Sequence, residues 1–204
     1  GKLDKDLNLL DIVALDEPQF RPHVITDHFW RGWLGYQKPT LVSFNGRSFD
    51  LPVLELASFR YGLSLPAWFN LGDKTYQQNR NRYNMESHLD LHDVLTNYSA
   101  CRFNGGLNLV AQLLGKPGKM DVSGFMVQDL FIENRLDEIN NYCRCDVLDT
   151  YFVFLRTALL MGWVDLKREQ ELVRNTKQWL EQRAESVPAF ASYLTQWQDW
   201  VDPW

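Results

Sequence analysis

Apolar and polar positions alternate along this chain with periods that change from stretch to stretch, and the clearest period lies at residues 137–155, DEINNYCRCDVLDTYFVFL. There Ile139, Tyr142, Asp146, Val147, Thr150 and Phe154 return at three- and four-residue steps, which predicts a helix with one inward-facing stripe. Tyr142 and Asp146 stand four apart on that stripe, one turn above the other on the same face. A carboxylate facing inward among apolar neighbours is costly unless a metal ion or a hydrogen-bond network meets it. Asp146 is therefore the first candidate for chemistry.

The preceding chain reads as α/β. LNLLDIVAL (7–15) predicts a strand, and DHFWRGWLGY (27–36) a short amphipathic helix capped by Asp27 and weakened by Gly32 and Gly35. TLVSF (40–44) is the kind of apolar run buried on both sides of a sheet. Next comes N-G-R-S-F-D (45–50), then a helix with Pro52 in its first turn, Val53, Leu54, Leu56, Ala57 and Phe59 available to pack, and Gly62 at its end. Locally, Asp50 reads as the cap of that helix and Asn45-Gly46 as a turn. A strand end that feeds a loop and a helix start is also where α/β sheets place ligand groups.

Residues 70–84 are polar and aperiodic and predict a long loop, whose Lys74, Arg80 and Arg82 either face solvent or meet phosphates. ESHLDLHDV (86–94) predicts a short strand entering a helix, with Asp90 or Asp93 at the junction; such a junction sends His88 and His92 to different faces, against a zinc pair. Helices follow at 107–114 and 125–133. The GKPGK between them, with the loop through Asp121 and Gly124, lacks the P-loop pattern. Beyond Gly162, a charged helix over 165–185 with Leu166, Val173 and Leu180 and with Leu172 and Trp179 at seven-residue spacing is broken by Pro188. A second amphipathic helix then carries Phe190, Leu194, Trp197 and Val201. The two predict a helical hairpin (163–204) packed on a main domain (1–162), or a surface for a protein partner if Trp197, Trp200 and Trp204 are exposed.

Composition narrows the classes. The 204 residues are 45% apolar, with eight tryptophans, enough for a substantial core. No apolar run reaches the length of a membrane-spanning helix and no secretory leader is visible; Gly1 reads as an added residue. Three cysteines, Cys101, Cys143 and Cys145, do not make a disulfide framework and fit a reducing, cytoplasmic setting, while the two-residue spacing of the last pair sends them to different helix faces. A net charge of −5 argues against broad coating of duplex DNA but leaves room for a local phosphate site built on divalent cations.

Two of these stretches carry a resemblance. Asn45–Asp50, N-G-R-S-F-D, resembles the second motif, N-x(2–3)-[FY]-D, of DEDD-type 3′–5′ exonucleases, and Tyr142–Asp146, Y-C-R-C-D, resembles the third, Y-x(3)-D, of the tyrosine-containing (DEDDy) branch. With His88 and Asp90 as an H-x-D strand, an LxxxAxLLG helix and a GK loop between them, residues 7–160 resemble the predicted 3′–5′ exonucleases similar to the proofreading domain of family B DNA polymerases. The resemblance implies a ribonuclease H-like fold, a mixed β-sheet flanked by helices, with a C-terminal helical extension. It implies hydrolysis at single-stranded nucleic-acid 3′ ends, DNA foremost, although nothing in composition or spacing separates DNA from RNA. Two Mg²⁺ or Mn²⁺ ions, roughly 3.5–4 Å apart, would clamp the attacking and leaving oxygens. Asp50 and Asp146 would bind the metals, Tyr142 would orient the attacking water, Asn45 would touch the terminal nucleotide, and Phe49 is expected beneath the site or in the core.

One piece is missing. Members of that family begin with a strand carrying D-x-E, and here Asp16-Glu17 are adjacent, so they point to opposite faces of any strand, while Asp4, Asp6 and Asp11 lack the glutamate two on. The expectation is that the segment with D-x-E precedes this sequence, and that the 204 residues alone bind metal weakly and turn over little. The rival reading is an exonuclease-fold relative that binds nucleic acid or a protein without chemistry; a third is an unrelated α/β domain in which Asp146 meets an arginine.

Overall fold

A computed structural model describes residues 1–118 and 126–204. Lys119, Asp121, Gly124 and the predicted helix start at Phe125 lie outside the described residues. In chain order the elements are β1 (Lys2–Leu3), β2 (Leu9–Asp11), α1 (Pro22–Gly35), β3 (Leu41–Ser43), α2 (Asp50–Tyr61), a 3₁₀ turn (Thr75–Gln77), β4 (His88–Asp90), α3 (Leu91–Leu95), α4 (Gly106–Gln112), α5 (Val127–Ile132), α6 (Leu136–Leu160), α7 (Leu166–Glu181) and α8 (Pro188–Thr195). The α/β class is as expected, with one antiparallel strand pair, β1–β2, and one parallel pair, β3–β4. The chain forms two compact units, one of residues 14–102 and one of residues 1–13 with 103–204.

The 14–102 unit is built on tryptophan. Trp30 and Trp33 of α1 meet Trp68 and Leu51, with Phe29, Leu41, Leu54 and Leu65 around them. A buried indole needs an acceptor for its N–H, and each finds one: Trp30 donates to Ser58 Oγ (2.9 Å), Trp33 to the Pro39 carbonyl (3.1 Å) and Trp68 to Glu55 Oε1 (2.7 Å). This need corrects the phase expected for α2. Its inward stripe is Leu51, Leu54 and Ser58, whereas Val53, Leu56 and Phe59 are exposed. The helix still stops at Gly62, whose φ of 69° is the left-handed cap that favours glycine. α1 also starts earlier than its sequence predicts: Pro22 occupies its first turn, and Asp27, far from capping it, pairs with Arg31 one turn on.

In the other unit α6 is the axis, packed against α4, α5, α7 and α8. Its buried residues include Cys145, Leu148, Asp149, Phe152 and Leu155, and from Tyr151 to Leu155 it is buried all round. The stripe expected through Tyr142, Asp146, Val147 and Thr150 is only half-buried, at the margin of that face. The Tyr151 hydroxyl donates to the Leu7 carbonyl (2.9 Å) and ties the β1–β2 connection to the helix. α7 turns Glu169, Leu172, Thr176 and Leu180 inward, with Glu169 held by Arg156 (2.9 Å) and Asp165 capping the Arg168 N–H (2.7 Å). α8 ends at Thr195, so Trp197 and Val201 are not helical. Trp197 lies flat against Lys116 instead (Nζ 3.9 Å from the ring centre), and Trp200 sits under Arg156 (4.4 Å). The tail reaches Gly115, where a side chain would strike the Gln198 carbonyl.

Among the described residues of this unit, Asp149 is the most deeply buried carboxylate. It accepts from the Tyr193 hydroxyl (2.6 Å), and burial pushes its pKa up to about 7. A carboxylate raised in this way favours the folded state while protonated. That contribution is complete below the ordinary carboxylate value of about 4 and is lost as pH rises through about 7. Urea unfolding of the wild type should therefore show a midpoint that falls, relative to Asp149→Asn, between about pH 4 and about pH 7. A relative rise over that window would contradict the buried position of Asp149.

Candidate functional site

The parallel register places Ser43, the last residue of β3, opposite Asp90, the last of β4. The 45–50 loop thus begins beside a carboxylate that is 3% exposed. Asp90 satisfies its oxygens from the backbone. It accepts from the N–H of Asn45 (2.7 Å) and of Arg47 (2.9 Å), and caps α3 through the N–H of His92 (3.1 Å). Asn45 adopts a φ of 61°, a conformation asparagine tolerates better than most residues. At Gly46 any side chain would collide with Ser43 and stand 3.0 Å from Asp50 Oδ2, so only glycine lets the loop fold this tightly.

Arg47 closes the loop from below. Its guanidinium donates to Asp93 Oδ2 (3.1 Å) and to the His88 carbonyl (3.0 Å). His88 is fully buried, its Nε2 2.7 Å from Ser43 Oγ, and burial with the Arg47 charge lowers its pKa to about 4, so it is neutral near pH 7. His92 instead packs its ring edge-on to Phe44 (5.6 Å), so the two histidines do face different ways. Asp50 stands in the first turn of α2, one residue past the cap position, where its charge suits the helix dipole. It is a surface residue whose carboxyl turns back toward Gly46; burial pushes its pKa up, and the Asp90 charge adds to that push. Asn45 is exposed at the loop's outer side.

Tyr142 and Asp146 meet as their spacing requires: the tyrosine hydroxyl hydrogen-bonds the carboxylate one turn on. Burial first, then the Asp146 charge and that bond, push the Tyr142 pKa well above its ordinary value. The hydroxyl keeps its proton near neutral pH and acts as a hydrogen-bond donor. Asn45 and Asp50 thus share one compact unit, Tyr142 and Asp146 the other.

Other candidates resolve differently. Phe49, expected under the site or in the core, is 66% exposed. Asp16 is held by Arg21 (2.7 Å), which keeps its carboxyl well below the usual range. Cys143 is exposed and Cys145 buried, as their spacing implies. Lys116 of the GKPGK stretch is buried, donating to the carbonyls of Leu114 and Gln198, its pKa lowered by burial to about 8. Among the described residues, no three His, Cys, Asp or Glu side chains gather as a metal-holding group. Nothing in the sequence gives Arg47 a role, because its partners are far along the chain and leave no local signal; Asp90 is visible there as a strand-to-helix junction and as part of the H-x-D strand, but not as the acceptor that holds the 45–50 loop.

Replacing Asp90 by Ala strands the amides of Asn45 and Arg47, and removing the acceptor of buried donors costs about 1–3 kcal/mol each. Urea denaturation should show Asp90→Ala destabilised by about 2–4 kcal/mol, with faster hydrogen exchange at residues 45–48; Asp90→Asn, which keeps one acceptor oxygen, should lose less. Unchanged exchange in Asp90→Ala would mean that the loop is held by something else.

No curated protein and no solved structure matches the chain. Residues 2–197 match the model of a family described as predicted 3′–5′ exonucleases related to the exonuclease domain of PolB. The two motif pairs fall within that span, and with nearly the whole length covered, the chain belongs to this exonuclease-related family.

Proposed function

We propose that this protein is a 3′–5′ exonuclease that hydrolyses phosphodiester bonds at single-stranded 3′ ends, DNA foremost, with Mg²⁺ or Mn²⁺ as its ions. The observation that carries the reading is the Tyr142–Asp146 pair, a neutral hydroxyl bonded to a carboxylate one turn away on α6. In a phosphodiesterase such a pair holds one carboxylate oxygen in place and offers a hydroxyl to a water. Asp50, in the first turn of α2 after the loop stiffened by Asp90, is the second proposed ligand, and the exposed Asn45 is the residue proposed to meet the terminal nucleotide.

The donors suit hard cations in kind, since Asp50 and Asp146 offer carboxylate oxygens. They fall short in number. Two carboxylates do not balance two dications, and the described residues hold no three-ligand group. Asp50 and Asp146 alone do not complete a two-ion centre, and a D-x-E pair would supply the missing charge. When bound, the ions provide a nucleophilic water near neutral pH and stabilise the leaving oxygen. What this chain's own residues do is hold the Asp146 carboxylate, orient a water through the Tyr142 hydroxyl and stiffen the Asp50 loop. The same shortfall favours a second reading, a nucleic-acid-binding or scaffolding relative without turnover.

Degradation of a labelled single-stranded oligonucleotide with Mn²⁺ separates the two. The 204-residue chain should be nearly inactive, and the chain joined to an upstream strand carrying D-x-E should shorten the substrate from its 3′ end. In that longer protein Asp50→Asn and Asp146→Asn should each reduce hydrolysis to background. Tyr142→Phe, which removes a bond to a ligand rather than a ligand, should cost roughly 10–100-fold. Equal rates in all variants would place the chemistry elsewhere, and no hydrolysis by any form would leave the binding protein.

A further inference from the structure

The 70–84 loop is a built surface. Its amides hold its backbone: Asn79 Nδ2 donates to the Ala67 carbonyl (2.7 Å), Asn81 Nδ2 to Thr75 (2.6 Å), and Gln78 Nε2 to Asp73 (3.0 Å). Between Lys74 and Met85 it has three cations and no acid. Arg80 is taken by Glu55 through two bonds of 2.7 and 2.8 Å. Arg82 is less fully neutralised, because its partner Asp93 (3.3 Å) already receives Arg47; one carboxylate faces two guanidiniums, which leaves a positive charge over.

Arg82 also lies beside two tyrosine rings, 5.6 Å from the centre of Tyr83 and 5.4 Å from that of Tyr98. The rings are 5.0 Å apart, and Tyr83 is 66% exposed. Tyr98 holds its place at a cost. Asn97, Tyr98 and Ser99 have φ values of 49°, 55° and 72°, three successive left-handed residues without a glycine. The turn is pinned by the Tyr98 N–H on the Asp93 carbonyl (2.7 Å) and the Ser99 N–H on Thr96 Oγ1 (3.0 Å). Strain of this kind, held by surrounding bonds, accompanies functional surfaces more often than plain connections.

We infer that Tyr83, Tyr98 and Arg82 form a binding platform for single-stranded nucleic acid, with a base stacked on the exposed Tyr83 ring and the neighbouring phosphate at Arg82. The chemistry is that of sequence-tolerant single-strand sites, aromatic faces beside cations. Its position is set by Asp93: the carboxylate that holds Arg82 also holds Arg47 of the 45–50 loop, so platform and motif loop are joined by one ion-pair relay within one unit. The platform deepens the exonuclease reading and rests on it for its role as the substrate's entry, but not for binding itself.

Binding is read by fluorescence anisotropy of labelled oligothymidylate and oligouridylate on the full chain, with EDTA present so that nothing is cleaved. Tyr83→Ala should weaken binding about tenfold, Tyr83→Trp should retain it, and Phe59→Ala, at an exposed ring on α2, should leave it unchanged. Arg82→Ala should reduce the salt dependence by about 0.7 in the log–log slope, one phosphate's worth. The platform is overturned if the wild type does not bind, if Tyr83→Ala binds as tightly as wild type, or if blunt duplex competes as well as single strand. The two readings fail separately. If binding depends on Tyr83 while the D-x-E-completed protein never hydrolyses, the platform stands and the nuclease falls; if Asp146→Asn abolishes hydrolysis while Tyr83→Ala leaves KM unchanged, the nuclease stands and the platform falls.

Discussion

The Asp90 carboxylate is the constraint on which the motif loop depends. Almost wholly buried, it must collect hydrogen bonds, and the donors that reach it are the backbone amides of Asn45 and Arg47 and the first turn of α3. One acid therefore ends β4, starts α3 and sets the course of a loop more than forty residues upstream. The left-handed Asn45 and the close approach at Gly46 follow from that course. So does the position of Asp50, delivered to the first turn of α2 with its carboxyl turned back over the loop.

A similar economy appears on α6. Asp149 lies deep and is met by Tyr193 of α8, while Asp146, three residues earlier, lies at the margin and is met by Tyr142 of its own helix. The deep pair joins elements; the marginal pair lies within one helix and is half-buried. Burial sets the difference, since a carboxylate sealed in the interior depends wholly on its protein partners for hydrogen bonds. Below β4, the Arg47–Asp93–Arg82 relay works likewise, linking the motif loop to the tyrosines of the neighbouring surface.

Much of the helical content was legible beforehand. Gly62 ends α2, Pro188 opens α8, and the 137–155 period lies within α6, because caps, proline and periodicity act within a few residues. What was misread has a common cause. The inward phase of α2 depends on the Trp30 indole needing Ser58, and the inward face of α6 turns toward Cys145 and Asp149 because α8 supplies a hydroxyl there. Trp197, placed by its spacing on a helix, leaves it to cover the Lys116 ammonium. In each case a partner distant in sequence overrode the local pattern.

The sequence by itself determined the kinds and the order of the pieces: the strand, loop and helix around N-G-R-S-F-D, the H-x-D strand, and the tyrosine and aspartate one turn apart, for these rest on spacings of a few residues. Only the tertiary structure decided which acids are buried and which lie at the margin, what holds the motif loop, and that Tyr83 and Tyr98 share one surface. Those outcomes depend on burial and on hydrogen-bond partners tens of residues away, and neither is written in any local stretch of chain.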